Sequence, residues 1–414
     1  MDPVANQKTF KSYMFFFYGQ LFSLLGSTVV FFVIFVWITD VTGNPLMLSL
    51  ASFINLIPTL ILFPITGVLA DRYDRKKIIL IADSTQAFLT VILAMLFVFN
   101  FSVMWLVLLL IGLRSVCQAF HLPTVSAIAP SMIPRENLSR VNGVRYLFLG
   151  VVQLIGPALG ATLLLIFPIK YILWIDLITF FIALVPLIKL KLPTIQLGKN
   201  REGANSFSRE IKEGFLIIKK IPGLLWIMVL AMFLYLLAQP SMTLAPFFIK
   251  RVHGGNNFIY ALNNIIFQAG MIVGALIVSF KKQWKNRMRT FFIGIMVINI
   301  GYLIYALAPI GAFSLIQIGL LIMGLVIPIV DIIVLTVIQQ TVPLDKMGRV
   351  SSISNMFMMI TQPIGAILAG PLSLIMGVSN LYILCALLSI IVTILPYLSS
   401  EFRHIDYDQL TLDL

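Results

Sequence analysis

The chain has 414 residues; 60% are Ala, Val, Ile, Leu, Met, Phe, Trp, Tyr or Cys and only 11% are charged, whereas soluble domains carry about 45–50% apolar and roughly 25% charged residues. A mean hydropathy of +1.02 leaves too little polar surface for a fold bathed in water. The net charge of +13 comes from short basic clusters between apolar runs, which excludes the contiguous cationic face that nucleic acid requires and points to loops beside a bilayer.

A hydrocarbon core about 30 Å thick is crossed by about 20 helical residues. Cutting the chain at its polar and turn-rich breaks yields twelve such segments, so the expected fold is an all-α polytopic membrane protein. The first six are predicted at 13–38, 46–69, 78–99, 103–132, 138–165 and 169–189. The second six are predicted at 222–249, 257–280, 289–308, 312–341, 350–376 and 378–399. The stretch from Tyr13 to Ile38 is too long for the apolar core of a signal peptide and is followed by no small-residue cleavage site, so it reads as the first span.

One substantial polar interruption divides six helices from six. The domains expected are an N-terminal bundle at 1–189, a cytoplasmic linker at 190–221, a C-terminal bundle at 222–400 and a cytoplasmic tail at 401–414. Within the linker, Ser208–Lys220 reads either as an amphipathic helix on the membrane surface or as solvated connection. Orientation follows from the basic residues. Lys8, Lys11, the Arg72–Lys77 cluster and the runs from Lys189 to Lys220 and Lys281 to Arg289 fall on one side, with only Lys170, Lys250 and Arg251 on the other. That asymmetry predicts both termini in the cytoplasm, and Trp37, Trp105 and Trp174 then fall near outer interfaces.

The halves resemble each other. A single offset brings Pro134 onto Pro343, Arg140 onto Arg349, Gln153 onto Gln362, Gly156 onto Gly365 and Asn55 onto Asn264. Two parallel six-helix bundles, pseudo-symmetric about an axis along the membrane normal and enclosing the substrate path, follow from such a repeat.

Polar residues within the spans mark candidate sites. Gln20, Ser23 and Ser27 share one side of the first helix, and Asn55 and Thr59 one side of the second. In the fourth helix Arg114, Gln118 and His121 lie on one face, so Arg114 is a functional candidate and His121 a candidate titrating group; a charge-paired structural arginine is the alternative. Asn263, Asn264 and Gln268 mark the eighth helix, Asn355 and Gln362 the eleventh. Asp331, deep in the tenth, is the leading candidate for a proton- or cation-binding carboxylate. Asp83 and Asp176 fall near ends of helices expected to line the outside, where snorkelling or capping serves equally well as explanation. With 32 Phe and 18 Met, these groups suggest an apolar, adaptable cavity suited to an amphiphile.

Two strings carry a resemblance. The loop after the second helix reads Gly67-Val-Leu-Ala-Asp71-Arg72-Tyr-Asp74-Arg75-Lys76-Lys77 and resembles the G-x-L-A-D-R-x-G-R-K-K motif of the major facilitator superfamily, with Asp74 where the pattern has Gly. The fifth helix carries Gly150-Val-Val-Gln-Leu-Ile-Gly156-Pro157-Ala-Leu-Gly160-Ala161, which resembles the superfamily's antiporter signature G-P-x-x-G-G, with Ala161 in the last place. The loop implies a conformational latch of Gly67, Asp71, Arg72 and Arg75, with Glu136 as partner to Arg75. The fifth helix reads either as a deformable gate (Gly150, Gly156, Pro157, Gly160) or as simple close packing. Arg114-Ser115, Ala119 to Pro123 and Ile175-Asp176-Leu177 resemble the branch that holds macrolide-efflux proteins and enterobactin-type exporters.

The resemblance implies proton-coupled export of a hydrophobic or amphiphilic, drug- or siderophore-like small molecule by alternating access in the cell membrane. The alternatives are a lipid or metal-chelate transporter of the same fold, or a sensor or scaffold without flux. No phosphate-binding loop or H-E-x-x-H site occurs, so no enzyme, cofactor or metal is expected. The partners expected are a small-molecule substrate, protons and the lipid bilayer, with no nucleic acid, and the protein is expected to be a monomer.

Overall fold

The computed structural model describes residues 7–189, 215–280, 286–342 and 347–398. Its elements are helical. In chain order they are α1 (Gln7–Thr42), α2 (Pro45–Arg72), α3 (Arg75–Val98), α4 (Met104–Met132), α5 (Arg135–Ile166) and α6 (Trp174–Lys189). The second set comprises α7 (Leu224–Thr243), α8 (Asn257–Phe280), α9 (Arg287–Leu307), α10 (Phe313–Thr341), α11 (Met347–Met376) and α12 (Val378–Leu398). Among the described residues, 12 helices are long and apolar enough to cross a membrane. The chain is an all-α, multi-pass membrane protein.

Two spans depart from the simple helices predicted. The sixth begins with a separate turn, Ile169–Ile172, before α6. The seventh ends at Thr243 and continues as a one-turn helix, Ala245–Phe247, and a π-turn, Phe248–Val252. Proline accounts for the second break: Pro240 lacks an N–H within α7, and Pro246 occupies the start of the new turn, where a missing N–H costs nothing.

The chain forms two compact units, Met1–Gly198 and Lys199–Leu414. In the first, α1 packs on α5 and α6, α4 on α2 and α3, and α3 on α6. The second repeats the scheme: α7 on α11 and α12, α10 on α8 and α9, and α9 on α12. The repeat read from the sequence is therefore a repeat of helix pairings. One of its matched pairs shows why. A methyl group on Gly156 of α5 would lie 2.5 Å from Thr28 Cγ2 of α1, and one on Gly365 of α11 would lie 2.6 Å from Gln239 Cβ of α7. Each glycine lets its helix approach the first helix of its unit, as small residues do wherever lipid offers no hydrophobic drive to association.

Each unit has its own apolar core. Tyr13, Phe16, Ile79, Ile128 and Met132 anchor the first. In the second, residues 215–220 are helical, and Ile217, Ile218 and Ile221 are buried against Leu224, Phe291 and Val350. Phe22, Phe88, Trp105, Phe181, Trp226 and Ile391 face outward, the arrangement a hydrocarbon solvent favours. Residues 190–214 of the linker expected at 190–221, among them 208–214 of the segment Ser208–Lys220, and the tail at 401–414 lie outside the described residues.

The loop motif has one local explanation. Asp74 is the N-cap of α3, its Oδ1 accepting from Lys76 N at 2.9 Å. That bond satisfies one of the donors a helix start leaves free, a role glycine could not fill. Lys76 Nζ donates to the Ile188 carbonyl at 2.6 Å, placing a cation at the C-terminal end of α6 where the helix dipole favours it.

Candidate functional site

Ionisable and polar groups inside the N-terminal unit converge from four helices. Arg114 lies about 15 Å along α4 at 1.5 Å per residue, close to the middle of a bilayer core. Its Nη1 stands 2.9 Å from Asp176 Oδ2 on α6. The Asp176 carboxylate also accepts from Ser27 Oγ of α1 at 2.8 Å and from Thr90 Oγ1 of α3 at 2.7 Å, and Arg114 Nη1 bonds Thr90 Oγ1 too. Every partner comes from a different helix, so the pair ties α1, α3, α4 and α6 together.

Asp176 does not snorkel. Its side chain is only 4% exposed, although it stands in the first turn of α6. The cause is Gly26 of α1: a methyl group there would lie 3.0 Å from Asp176 Cα and would collide with Thr179 Oγ1. The missing side chain lets α6 press against α1 and carries Asp176 into the unit.

A second group lies two helical turns away on α3 and α4. His121 Nε2 is 2.9 Å from Gln20 Oε1 of α1 and 3.4 Å from Asp83 Oδ1 of α3, and Gln20 Nε2 is 3.5 Å from Asp83 Oδ2. His121 Nδ1 is buried with no hydrogen-bond partner among the described residues. Between the groups, Gln118 Nε2 donates to Gln86 Oε1 at 2.6 Å and Gln86 Nε2 to Ser27 Oγ at 2.9 Å. Asp83, Gln86 and Thr90 thus form a polar face of α3 opposite Arg114, Gln118 and His121 of α4.

Beside this network is a cavity of about 260 Å³. Asn55, Gln86, Arg114 and Gln118 supply its polar wall, and Phe31 and Ile34 are part of its apolar one. Such a space can take an apolar group edged by hydrogen-bonding atoms. Its arginine is already neutralised by Asp176, so no unpaired cation is offered to an anionic guest.

Of the sequence candidates, Asn55, Arg114 and Gln118 line this cavity, and Gln20 and His121 pair beside it. Asn264 and Gln268 are half-buried on α8, with Asn264 Nδ2 donating to the Tyr260 carbonyl at 2.9 Å. Gln362 is half-buried on α11. Asp331 of α10 is exposed and forms no hydrogen bond or ion pair among the described residues. Gly150, Gly156, Pro157 and Gly160 belong to α5, and a methyl group on Gly160 would lie 2.8 Å from Phe32 Cδ1. Arg75 opens α3. The side chains of Asp71, Arg72, Glu136 and Asn355 and the surroundings of Gly67 lie outside what the structure describes. Sequence reasoning missed Gln86 and Thr90, the pairing of Asp83 with His121 and that of Asp176 with Arg114. The spacing of Asp83, Gln86 and Thr90 on one face of the third span was the available signal.

The Major Facilitator Superfamily model matches residues 16–366. Macrolide efflux protein A of Streptococcus pyogenes is 27% identical over 389 residues, covering 94% of this chain and 96% of that protein. Macrolide efflux protein A of Enterococcus faecalis is 26% identical over 324 residues, covering 78% and 99%. The crystal structure of a bacterial homologue of the iron transporter ferroportin, in an inward-facing state, superposes with a TM-score of 0.73 at 14% identity, covering 96% of this chain and 99% of that one.

Proposed function

Because the chain belongs to the Major Facilitator Superfamily of membrane transporters, we propose that it exports a hydrophobic or amphiphilic small molecule across the cell membrane by proton-coupled alternating access. The observation that carries this reading is the full-length similarity to macrolide efflux proteins. The cavity beside Arg114 supports it, because apolar walls with a few amide and hydroxyl groups suit an amphiphile. Both termini lie in the cytoplasm in this reading, and the protein works as a monomer.

Export against a gradient requires a ligand with different affinities for two conformations, and a proton needs an ionisable group away from bulk water. Asp331 on α10 is the acid singled out by the sequence, and Asp83 beside His121 is a second, buried one. Gly67, Asp71, Arg72, Arg75 and Glu136 are assigned to control of the conformational switch. Gly156, Pro157 and Gly160 let α5 flex against α1, since Pro157 removes one backbone hydrogen bond and the glycines leave room.

The test is accumulation of a radiolabelled macrolide, and separately of a lipophilic dye, by everted membrane vesicles holding the protein. Accumulation that needs an acidic lumen and collapses with a protonophore supports the reading. Equal uptake by vesicles with and without the protein, for both probes, contradicts it.

A further inference from the structure

We propose that the transported proton is held by the His121–Asp83 pair of α4 and α3, with Nδ1 of His121 as the atom that receives it. This deepens the proton-coupling reading above and rests on it.

The hydrogen-bond directions follow from the inventory of donors. Asp83, as a carboxylate, only accepts, so Gln20 turns its amide NH₂ toward Asp83 Oδ2 and its Oε1 toward His121. Gln20 Oε1 is then an acceptor, and His121 Nε2 must carry the hydrogen between them. In the neutral ring Nδ1 is left as a bare lone pair. That lone pair is buried and has no donor facing it. The geometry holds one vacant proton position on a ring whose Nε2 stands 3.4 Å from an anion.

Charge balance argues the same way. Arg114 and Asp176 cancel each other at 2.9 Å. Among the described residues Asp83 has no such permanent cation: the titratable groups near enough to act on it are His121 and Asp176. On α4, Cys117 lies within the influence of Arg114 and Asp83. On α1, Gln20 is uncharged, and Tyr13 meets Arg145 of α5. With His121 neutral Asp83 therefore has no cation against it, which a low-dielectric site disfavours. A proton delivered by hydronium, which leaves as water, forms an N–H bond at Nδ1 and makes the pair neutral overall.

Loading also acts on conformation. A protonated Nδ1 is a buried donor with no acceptor in the arrangement described, and such a group is costly. The ring can satisfy it only by turning, or by a shift of α4 against α1 and α3. The adjacent turn holds Gln118, whose Nε2 donates to Gln86, and both line the cavity. Proton binding at His121 is thus linked, within the same helices, to the shape of the space where a substrate group would sit.

The test uses the full-length protein in lipid with ring-labelled histidine, followed by NMR as pH is varied. The chain has three histidines, so the His121 signal is the one lost in His121→Gln. The expected result is a His121 signal that changes from neutral to charged as pH is lowered, with a midpoint that changes in Asp83→Asn. In vesicles, His121→Gln and Asp83→Asn are expected to lose proton-driven accumulation of the macrolide while keeping downhill exchange. A His121 ring that is unchanged across the range, or a midpoint and accumulation indifferent to Asp83→Asn, overturns the proposal. The ring signal is read without transport. Absence of gradient-driven flux in the unaltered protein therefore counts against the export reading, whereas a silent ring counts against this one.

Discussion

Arg114 of α4 and Asp176 of α6 meet at 2.9 Å, with side chains 12% and 4% exposed, and share Thr90 of α3 as a common partner. A cation placed near the middle of a span is thereby stabilised by an anion carried in on the first turn of another. Removing either charge alone leaves the other in a medium that cannot solvate it.

Asp176→Asn is accordingly expected to lower the stability of the protein in detergent by about 3–5 kcal/mol, the cost of stranding one member of a buried pair. The double variant Arg114→Met with Asp176→Leu should recover much of that loss, because replacing a buried pair by apolar groups of similar size is often neutral. Thermal unfolding of the three proteins checks this. Equal melting temperatures for Asp176→Asn and the unaltered protein would mean that the pair does not hold the unit together.

Gly156 and Gly365 occupy matching places but meet different obstacles. A methyl group on Gly156 meets only Thr28 among its close neighbours, chiefly its side chain, whereas one on Gly365 would also lie 2.9 Å from the Leu236 carbonyl oxygen. Overpacking of this kind costs about 1–3 kcal/mol. Thr28→Ala should relieve part of the cost of Gly156→Ala. No trimming of Gln239 should fully relieve Gly365→Ala, because main chain cannot be shortened. Melting temperatures of the single and paired variants decide the matter.

His253 follows the π-turn after α7, outside the spans, where it is buried against Phe248. Burial pushes its pKa below the ordinary 6.5, opposed by a hydrogen bond to the Pro309 backbone. The folded protein therefore binds fewer protons than the unfolded chain in mildly acid solution. The stabilising contribution of neutral His253 is fully present above the unfolded value and is lost as pH falls through 6.5 toward the folded one. The expected outcome is a melting temperature that drops between about pH 7.5 and 5.5 by less in His253→Gln than in the unaltered protein. Parallel curves would contradict it.

Asp331 and Asp83 separate the two candidate sites for the proton. Asp331 is exposed and without a polar partner among the described residues, whereas Asp83 faces His121 and Gln20. Asp331→Asn is expected to keep gradient-driven accumulation in everted vesicles, and Asp83→Asn to lose it. The opposite pattern would move the coupling site to α10.

Much of this architecture was legible in the chain. Twelve apolar runs of bilayer length need no tertiary information, because in lipid each helix satisfies its own backbone. The offset that matches Gly156 with Gly365 reported a real equivalence of helix pairs, since small residues at contacts survive in a pattern otherwise blurred by Leu and Ile. The polar network was harder to read. Arg114 and Asp176 are 62 positions apart, and hydropathy registers an acid near a helix end without revealing that Gly26 lets that helix sink inward. Asp83 likewise looked peripheral because its partners lie on α1 and α4. Asp74 is the reverse case: a departure from the loop motif that its capping bond to Lys76 explains at once.

Exchange of an outward-moving amphiphile for protons can be followed with purified protein in proteoliposomes. With a pH-sensitive dye in the lumen and a macrolide added outside, the proposal predicts macrolide-dependent proton movement in the opposite direction, abolished in Asp83→Asn. Macrolide flux of undiminished size with no accompanying change in luminal pH would contradict it.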